Sequence, residues 1–237
     1  MKKLLFTLVC CLLMLTNSFA QMELAVNFNS GLFSFGGKSA ESSSFINISD
    51  VATISNYTNN PYGTKNGLGY GVSVNAKQVF AKHFLLGLDV GYEAMNSRID
   101  ITNIASFGPP GSSNLTATGV TKLTTQFLNL HPNFGFRLGK SKTTFDLTAG
   151  VDVGIILAAY ESGKATLANG EKVTTDSDRK NIKTDLRPRL QLAANYEKFG
   201  IYAGYAHGLI NYKQGYVGGS SEVTSRVIRF GLSYRIN

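Results

Sequence analysis

"DLTAGVDVGIILAAY", residues 146–160, decides the fold. The stretch is apolar enough for a lipid bilayer, yet it carries Asp146 and Asp152. Phe145, Leu147, Ala149, Val151, Val153, Ile155 and Leu157 fall at odd positions, whereas both carboxylates share the even positions with Thr148, Gly150 and Gly154. A period of two puts one set on each face of a β-strand. A helix would scatter the same residues around its circumference and press Asp152 into hydrocarbon.

The same alternation recurs in seven further places. Leu24, Val26 and Phe28 alternate with Glu23, Asn27 and Asn29, and Leu68, Tyr70, Val72 and Val74 with Gly69, Gly71, Ser73, Asn75 and Lys77. Phe84, Leu86, Leu88, Val90 and Tyr92 oppose Gly87, Asp89, Gly91 and Glu93, and Leu128, Leu130, Phe134, Phe136 and Leu138 oppose Asn129, His131, Asn133 and Arg137. Leu186, Leu190, Leu192 and Tyr196 face away from Asp185, Arg187, Arg189, Gln191 and Asn195. A weaker segment sets Ile201, Ala203 and Tyr205 against Gly204, Ala206 and Gly208, and the last sets Ile228, Phe230, Leu232 and Tyr234 against Arg229, Ser233 and Arg235. Each is about as long as a tilted strand crossing a bilayer, roughly ten residues.

Long polar segments at 34–66, 97–122, 161–183 and 213–222 alternate with tight turns around 78–82, 139–141 and 197–200. Outer-membrane barrels alternate connections this way, with short turns in the periplasm and long loops outside. Backbone groups in hydrocarbon need internal partners, so spanning strands must close on themselves. The expected fold is therefore all-β, an eight-stranded antiparallel up-and-down transmembrane barrel over residues 21–237. "SSFINISDVATIS" at 43–55 reads as a strand extension or lid above the membrane, because one more crossing would invert everything after it. Pro132 and Pro188 each predict a bulge or a weakened ladder bond, since a closed barrel has no free edge.

Eight strands leave an interior just wide enough for side chains. The inward positions hold Asp89, Glu93, Asp146, Asp152 and Asp185 against Lys77, Arg137, Arg187, Arg189 and Arg229, with Glu23, Glu197 and Arg235 besides. Buried charge is tolerable when paired. These residues predict a structural charge network filling the lumen, not an open channel. Aromatic girdles are expected from Phe84, Phe136, Phe145, Tyr196 and Tyr234 at one interface and from Phe28, Tyr70, Tyr92 and Tyr205 at the other. Lys82, Lys140, Lys142 and Lys198 would meet anionic headgroups near the short turns.

The chain begins MKKLLFTLVCCLLMLTNSFAQ, a basic start, an apolar run and a small-residue end, which predicts a signal peptide at 1–20. The run is too short for a membrane helix. Both cysteines lie within it, so the remainder has neither a disulfide nor a cysteine metal site. Loss of Lys2 and Lys3 lowers the formal charge from +8 by two. No basic and aromatic stripe remains for nucleic acid once the strands are assigned.

No catalytic, cofactor or metal site is expected. His83, His131 and His207 are far apart in the sequence and fall at different depths or faces, whereas a metal needs converging ligands. His207, with Ser220, Ser221 and Glu222 beyond it, comes nearest to a hydrolase constellation. "GLGYGV" spaces its glycines as a strand does and precedes no helix, which sets aside a dinucleotide fingerprint.

"FLNLHPNFGFRLG" at 127–139, "AGVDVGIIL" at 149–157, "IYAGYAHGLINY" at 201–212 and the ending "RFGLSYRIN" resemble strands of the PorT-like outer-membrane β-barrel proteins of the Bacteroidetes type. The likeness runs from Gly67 onward. It departs at His131, where an aliphatic residue is usual, and at Gly204, where Arg is common. The resemblance implies an outer-membrane location, and some relatives are linked to protein secretion. The expected function is a structural or interaction role for a monomeric barrel. Its partners would be outer-membrane lipid and lipopolysaccharide, and an extracellular protein or host ligand reached through the loops. The alternatives are a secretion-associated accessory barrel, a lipid-modifying enzyme or a narrow pore. A soluble lipocalin-type barrel would use the same alternation inside out.

Overall fold

In a computed structural model, residues 22–48, 55–108, 111–139, 142–215 and 221–237 are described. The expected signal peptide lies outside them, as do Lys140 and Ser220. The chain forms β1 (Met22–Gly36), β2 (Ser43–Ile48), β3 (Tyr57–Thr58), β4 (Lys65–Phe80), β5 (Phe84–Gly108) and β6 (Gly111–Leu138). It continues through β7 (Thr143–Leu167), β8 (Lys172–Asp178), β9 (Thr184–Tyr196), β10 (Phe199–His207) and β11 (Thr224–Arg235).

Eight of these strands, β1, β4, β5, β6, β7, β9, β10 and β11, close into an antiparallel ring through the pairing of β1 with β11. The register fixes its shape. From Phe84 on β5 a continuous row passes through Phe136, Leu147, Leu192, Ala203, Phe230, Ser30 and Tyr70. It returns to β5 at Ala94, ten residues above its start. A stagger of that size tilts eight strands by about 40° and leaves a bore that side chains fill.

The faces are those of a membrane barrel and not of a lipocalin. Val151 is 41% exposed on the outer wall, while Asp152 beside it is fully buried. All nine aromatic residues of the two girdles are exposed on the outside. Phe84 packs edge-on against Phe136, and Phe199 lies tilted against Tyr234, at the short-turn end. The short turns bring Ala81, Lys82 and Glu197 into the left-handed region, at φ 46°, 69° and 50°. Glu197 therefore sits in a turn, exposed and paired with Lys142, instead of in the lumen.

The expected loops at 97–122 and 161–183 are corrected by the structure. Both are largely strand. β5 and β6 run on as a hairpin, paired from Arg98↔Lys122 to Gly108↔Gly111, and β7 continues to Leu167 before returning as β8. β1 likewise continues to Gly36. The reason is an inversion of polarity along single strands. Within the membrane level, inward positions of β1 are Asn27 and Asn29; above it, on the same face, they are Phe33 and Phe35, both buried. Once the outer wall meets water the sheet must hide its apolar face inside.

The upper part is a storey with its own core. Ile46, Ile99, Ile101, Ile104, Ala117, Ala165, Leu167 and Val173 form one apolar cluster. β2, from the expected lid, pairs parallel to β5, which departs from a purely antiparallel plan. β3 pairs with β2, and Asn56 just before it donates to Thr174 O on β8 at 3.2 Å, nearly closing a second, smaller ring. Buried Glu161 latches this lid, accepting from the Thr58 backbone N–H and from Arg179 Nε, each at 2.7 Å. Residues 49–54 of the lid segment lie outside the described residues.

Neither proline makes a bulge. Pairing of β6 with β7 lapses between Leu130↔Val153 and Asn133↔Gly150 and resumes in the same register, so Pro132 weakens the ladder without shifting it. Pro188 pairs with Val151 in unbroken register.

Candidate functional site

The lumen holds two tiers of charge. In the lower tier, towards the short turns, Arg137 of β6 reaches two carboxylates at once. Its Nε and Nη2 donate to Asp146 of β7 at 2.7 and 2.9 Å, and its Nη1 and Nη2 donate to Glu23 of β1 at 2.6 and 2.8 Å. Lys77 of β4 donates to Asp146 at 2.8 Å, and Arg235 of β11 lies 3.3 Å from Glu23. Forked, charge-assisted pairs of this kind fix direction as well as distance.

The upper tier is built round Asp152. Arg229 of β11 crosses the bore to Glu93 of β5 with two bonds of 2.8 and 2.7 Å, and its Nη1 stands 2.6 Å from Asp152. Arg189 Nη1 lies 3.3 Å, Arg187 Nε 3.6 Å and His131 Nδ1 3.1 Å from the same carboxylate. Arg187 also faces Asp185 at 3.8 Å, donates to Asn129 at 2.7 Å and lies over the Phe127 ring at 4.5 Å. Arg187, Arg229, Asp152 and Asp185 are all essentially without solvent contact. Three acids meet three guanidinium groups there, so the tier closes on itself electrically.

Between the tiers the lumen is polar and nearly full. Asp89 accepts from Asn75 at 2.5 Å, an amide partner in place of a cation. Tyr202 of β10 bonds Asn29, and Arg189 bonds Gln191. A cavity of about 30 Å³ remains beside Asn27, Asn75, Lys77, Asp89 and Asn133, room for one or two waters.

Aromatic residues stopper the upper tier. Phe35 packs edge-on against Phe33, Tyr62 and Tyr212, and Phe33 against Phe127. Tyr212, in the segment after β10, donates to Asp185 at 2.8 Å, and Ser225 donates to it at 2.6 Å. Burial, with the Asp185 carboxylate alongside, pushes the Tyr212 hydroxyl well above the usual tyrosine range.

All ten lumen residues singled out in the sequence face the bore, and nine of them meet a charge of opposite sign; among the described residues Asp89 does not. The histidines part company. His131 joins Asp152, His83 stacks on Phe136, and His207 stands 3.1 Å from the Tyr205 hydroxyl. Ser221 donates to Lys213 O, and the Glu222 backbone binds Ser39. Among the described residues no three acid, cysteine or histidine side chains converge as metal ligands. Tyr202 and Phe127 escaped the sequence reading, although Tyr202 has the inward parity of Gly204 and Ala206.

Residues 17–214 match the family described as outer membrane protein beta-barrel domain. Among solved structures, Ail, the attachment invasion locus protein of Yersinia pestis, in complex with the heparin analogue sucrose octasulfate, is 12% identical over 91% of this chain and 97% of its own, with a TM-score of 0.35. Neisserial surface protein A is 11% identical over 89% and 96%, with a TM-score of 0.34. Nothing matches among the curated proteins.

Proposed function

We propose, from the premise that the chain belongs to the outer membrane protein β-barrel domain family, that it is a sealed outer-membrane scaffold whose folded upper storey binds phosphorylated lipopolysaccharide of the outer leaflet. One observation carries the reading. Lys65, Arg98 and Lys122 stand side by side on β4, β5 and β6 in a single lateral row. Like charges directly opposite one another weaken a sheet. Among the described residues only Lys65 of the three has an acid partner, Asp100, while Arg98 turns its Nε to Asn66 O. A row kept at that cost, on a sheet held rigid by its own core, suits a polyanion. The row lies above the membrane-level apolar side chains Leu68, Tyr92 and Leu128 of its strands, although β6 exposes Val120 and Leu115 again beyond it; headgroup phosphates and core sugars begin at that level.

The strand motifs at 127–139 and 201–212 favour the PorT-like branch of the family, and a leader at 1–20 fits export to this membrane. Ala at both 98 and 122 should weaken retention of purified lipopolysaccharide by about 2 kcal/mol, roughly thirtyfold, taking about 1 kcal/mol per cation. Raised salt should erase most of the difference. Equal retention by the variant and the parent at low salt would remove the proposal. Because the tiers fill the bore, reconstituted protein is expected to give no sustained current in planar bilayers; a steady open level contradicts the sealed lumen.

A further inference from the structure

The outer wall has a groove where the alternation of large side chains lapses. At the short-turn end one lateral row runs Phe145, Ala194, Ile201 and Leu232, and the row below runs Thr143, Tyr196, Phe199 and Tyr234. Ala194 is the small member of its row. Its neighbours Tyr196, Phe199, Ile201 and Leu232 are each more than half exposed and stand proud around it. The resulting hollow has a volume of about 370 Å³ and is lined by Thr143, Ala194, Tyr196, Phe199, Ile201 and Leu232, with the backbone beneath.

The location names the occupant. These rows belong to the membrane-facing wall, and apart from the Thr143 edge the hollow offers water little to bond to. Hydrocarbon is what remains, and the volume lies within the range of sites that enclose small ligands. We infer that the groove seats one acyl chain of an inner-leaflet phospholipid. Its headgroup would lie against the turn between β9 and β10. There, among the described residues, Lys198 reaches only the Ile236 carbonyl, at 3.3 Å, and Lys142 is 67% exposed despite its pairing with Glu197. Among the described residues these turns thus carry an excess of cation, Lys142 and Lys198 against Glu197, which suits a phosphate.

The assignment uses the orientation adopted above but not the lipopolysaccharide row, which lies at the opposite end of the barrel, so either can fail alone. The test is native mass spectrometry of the full chain, folded in mild detergent with phosphatidylglycerol and checked by heat-modifiable migration. The parent should keep one phospholipid at energies that strip the remainder. Ala194→Leu, which fills the hollow, should lower that occupancy by about fivefold or more, and Ala194→Val, a smaller filling that keeps the strand, should lower it less. Ala203→Leu, on the same wall outside the groove, should leave occupancy unchanged. Lys198→Ala should reduce phosphatidylglycerol retention relative to phosphatidylcholine. Equal occupancy in the parent and both Ala194 variants overturns the assignment, as does retention of lipopolysaccharide in place of phospholipid, or an equal loss in Ala203→Leu.

Discussion

Replacing Asp152 with Ala should destabilise the barrel by about 3–5 kcal/mol, the usual cost of removing one partner from a buried ionic cluster. The carboxylate lies within 4 Å of Arg229, Arg189, Arg187 and His131. Without it three buried guanidinium groups retain only Glu93 and Asp185 for compensation. Asp152→Asn separates charge from shape. It keeps the side-chain volume and one acceptor but no net charge, so it should fall between the parent and Asp152→Ala. Denaturant unfolding of refolded protein, followed by heat-modifiable migration, reads both. The loss should persist at high salt, because solvent ions do not screen a pair buried in the bore. A loss below about 1 kcal/mol for Asp152→Ala would mean that the cluster is packing rather than electrostatic support.

The membrane strands were legible because lipid admits no exception on the outer face. Phe145 to Leu157 and Phe84 to Tyr92 had to alternate, and eight such segments with long and short connections left one closed topology. The upper storey was illegible for the opposite reason. In "NSRIDITNI", residues 96–104, Ile99 and Ile101 alternate as strictly as any membrane strand, but their outward neighbours Arg98 and Thr102 meet water. A segment with one polar face reads as a loop when every strand is expected to turn its greasy side out.

The lumen divides in the same way. Parity alone showed which acids and bases face inward, since it is local. Partners on adjacent strands, such as Arg137 and Asp146, follow from hairpin register, whereas partners across the bore depend on the ten-residue stagger, which is a property of the closed ring. It is the stagger that sets Glu93 of β5 across from Arg229 of β11, 136 residues away, and no spacing in the sequence encodes that. His131 meets Asp152 through the register of β6 on β7, which sets the two opposite each other within the lapse, where the sequence offered only an isolated polar position. The lapse beside Pro132 followed from a missing N–H, but its resumption in register follows from the pairings that hold β6 to β7 on either side of it, Phe127 to Leu130 above and Asn133 to Leu138 below.

Two cores stacked in one sheet should fail separately. Ile101→Asp places a carboxylate at a position 2% exposed among Ile46, Ile99, Ile104 and Val173. Truncating a buried isoleucine to Ala costs about 2–5 kcal/mol, and an unpaired buried charge costs several more. That exceeds what so small a cluster supplies, so β2, β3 and the paired tips of β5 to β8 should come apart. The membrane ring should not. Its strands remain held by backbone ladders that lipid makes obligatory, and its two charge tiers lie below the aromatic stopper of Phe33, Phe35, Phe127 and Tyr212. The expected result in intact cells is protease cleavage within 97–122 and 161–178, with heat-modifiable migration of the remaining barrel retained. Hydrogen exchange should rise in those same segments and stay slow from Phe84 to Tyr92. Asp152→Ala should do the reverse, lowering the stability of the ring before the storey is cut. If Ile101→Asp abolishes barrel folding, or leaves the storey resistant to protease, the two cores are one cooperative unit and the division drawn from their separate packing is wrong.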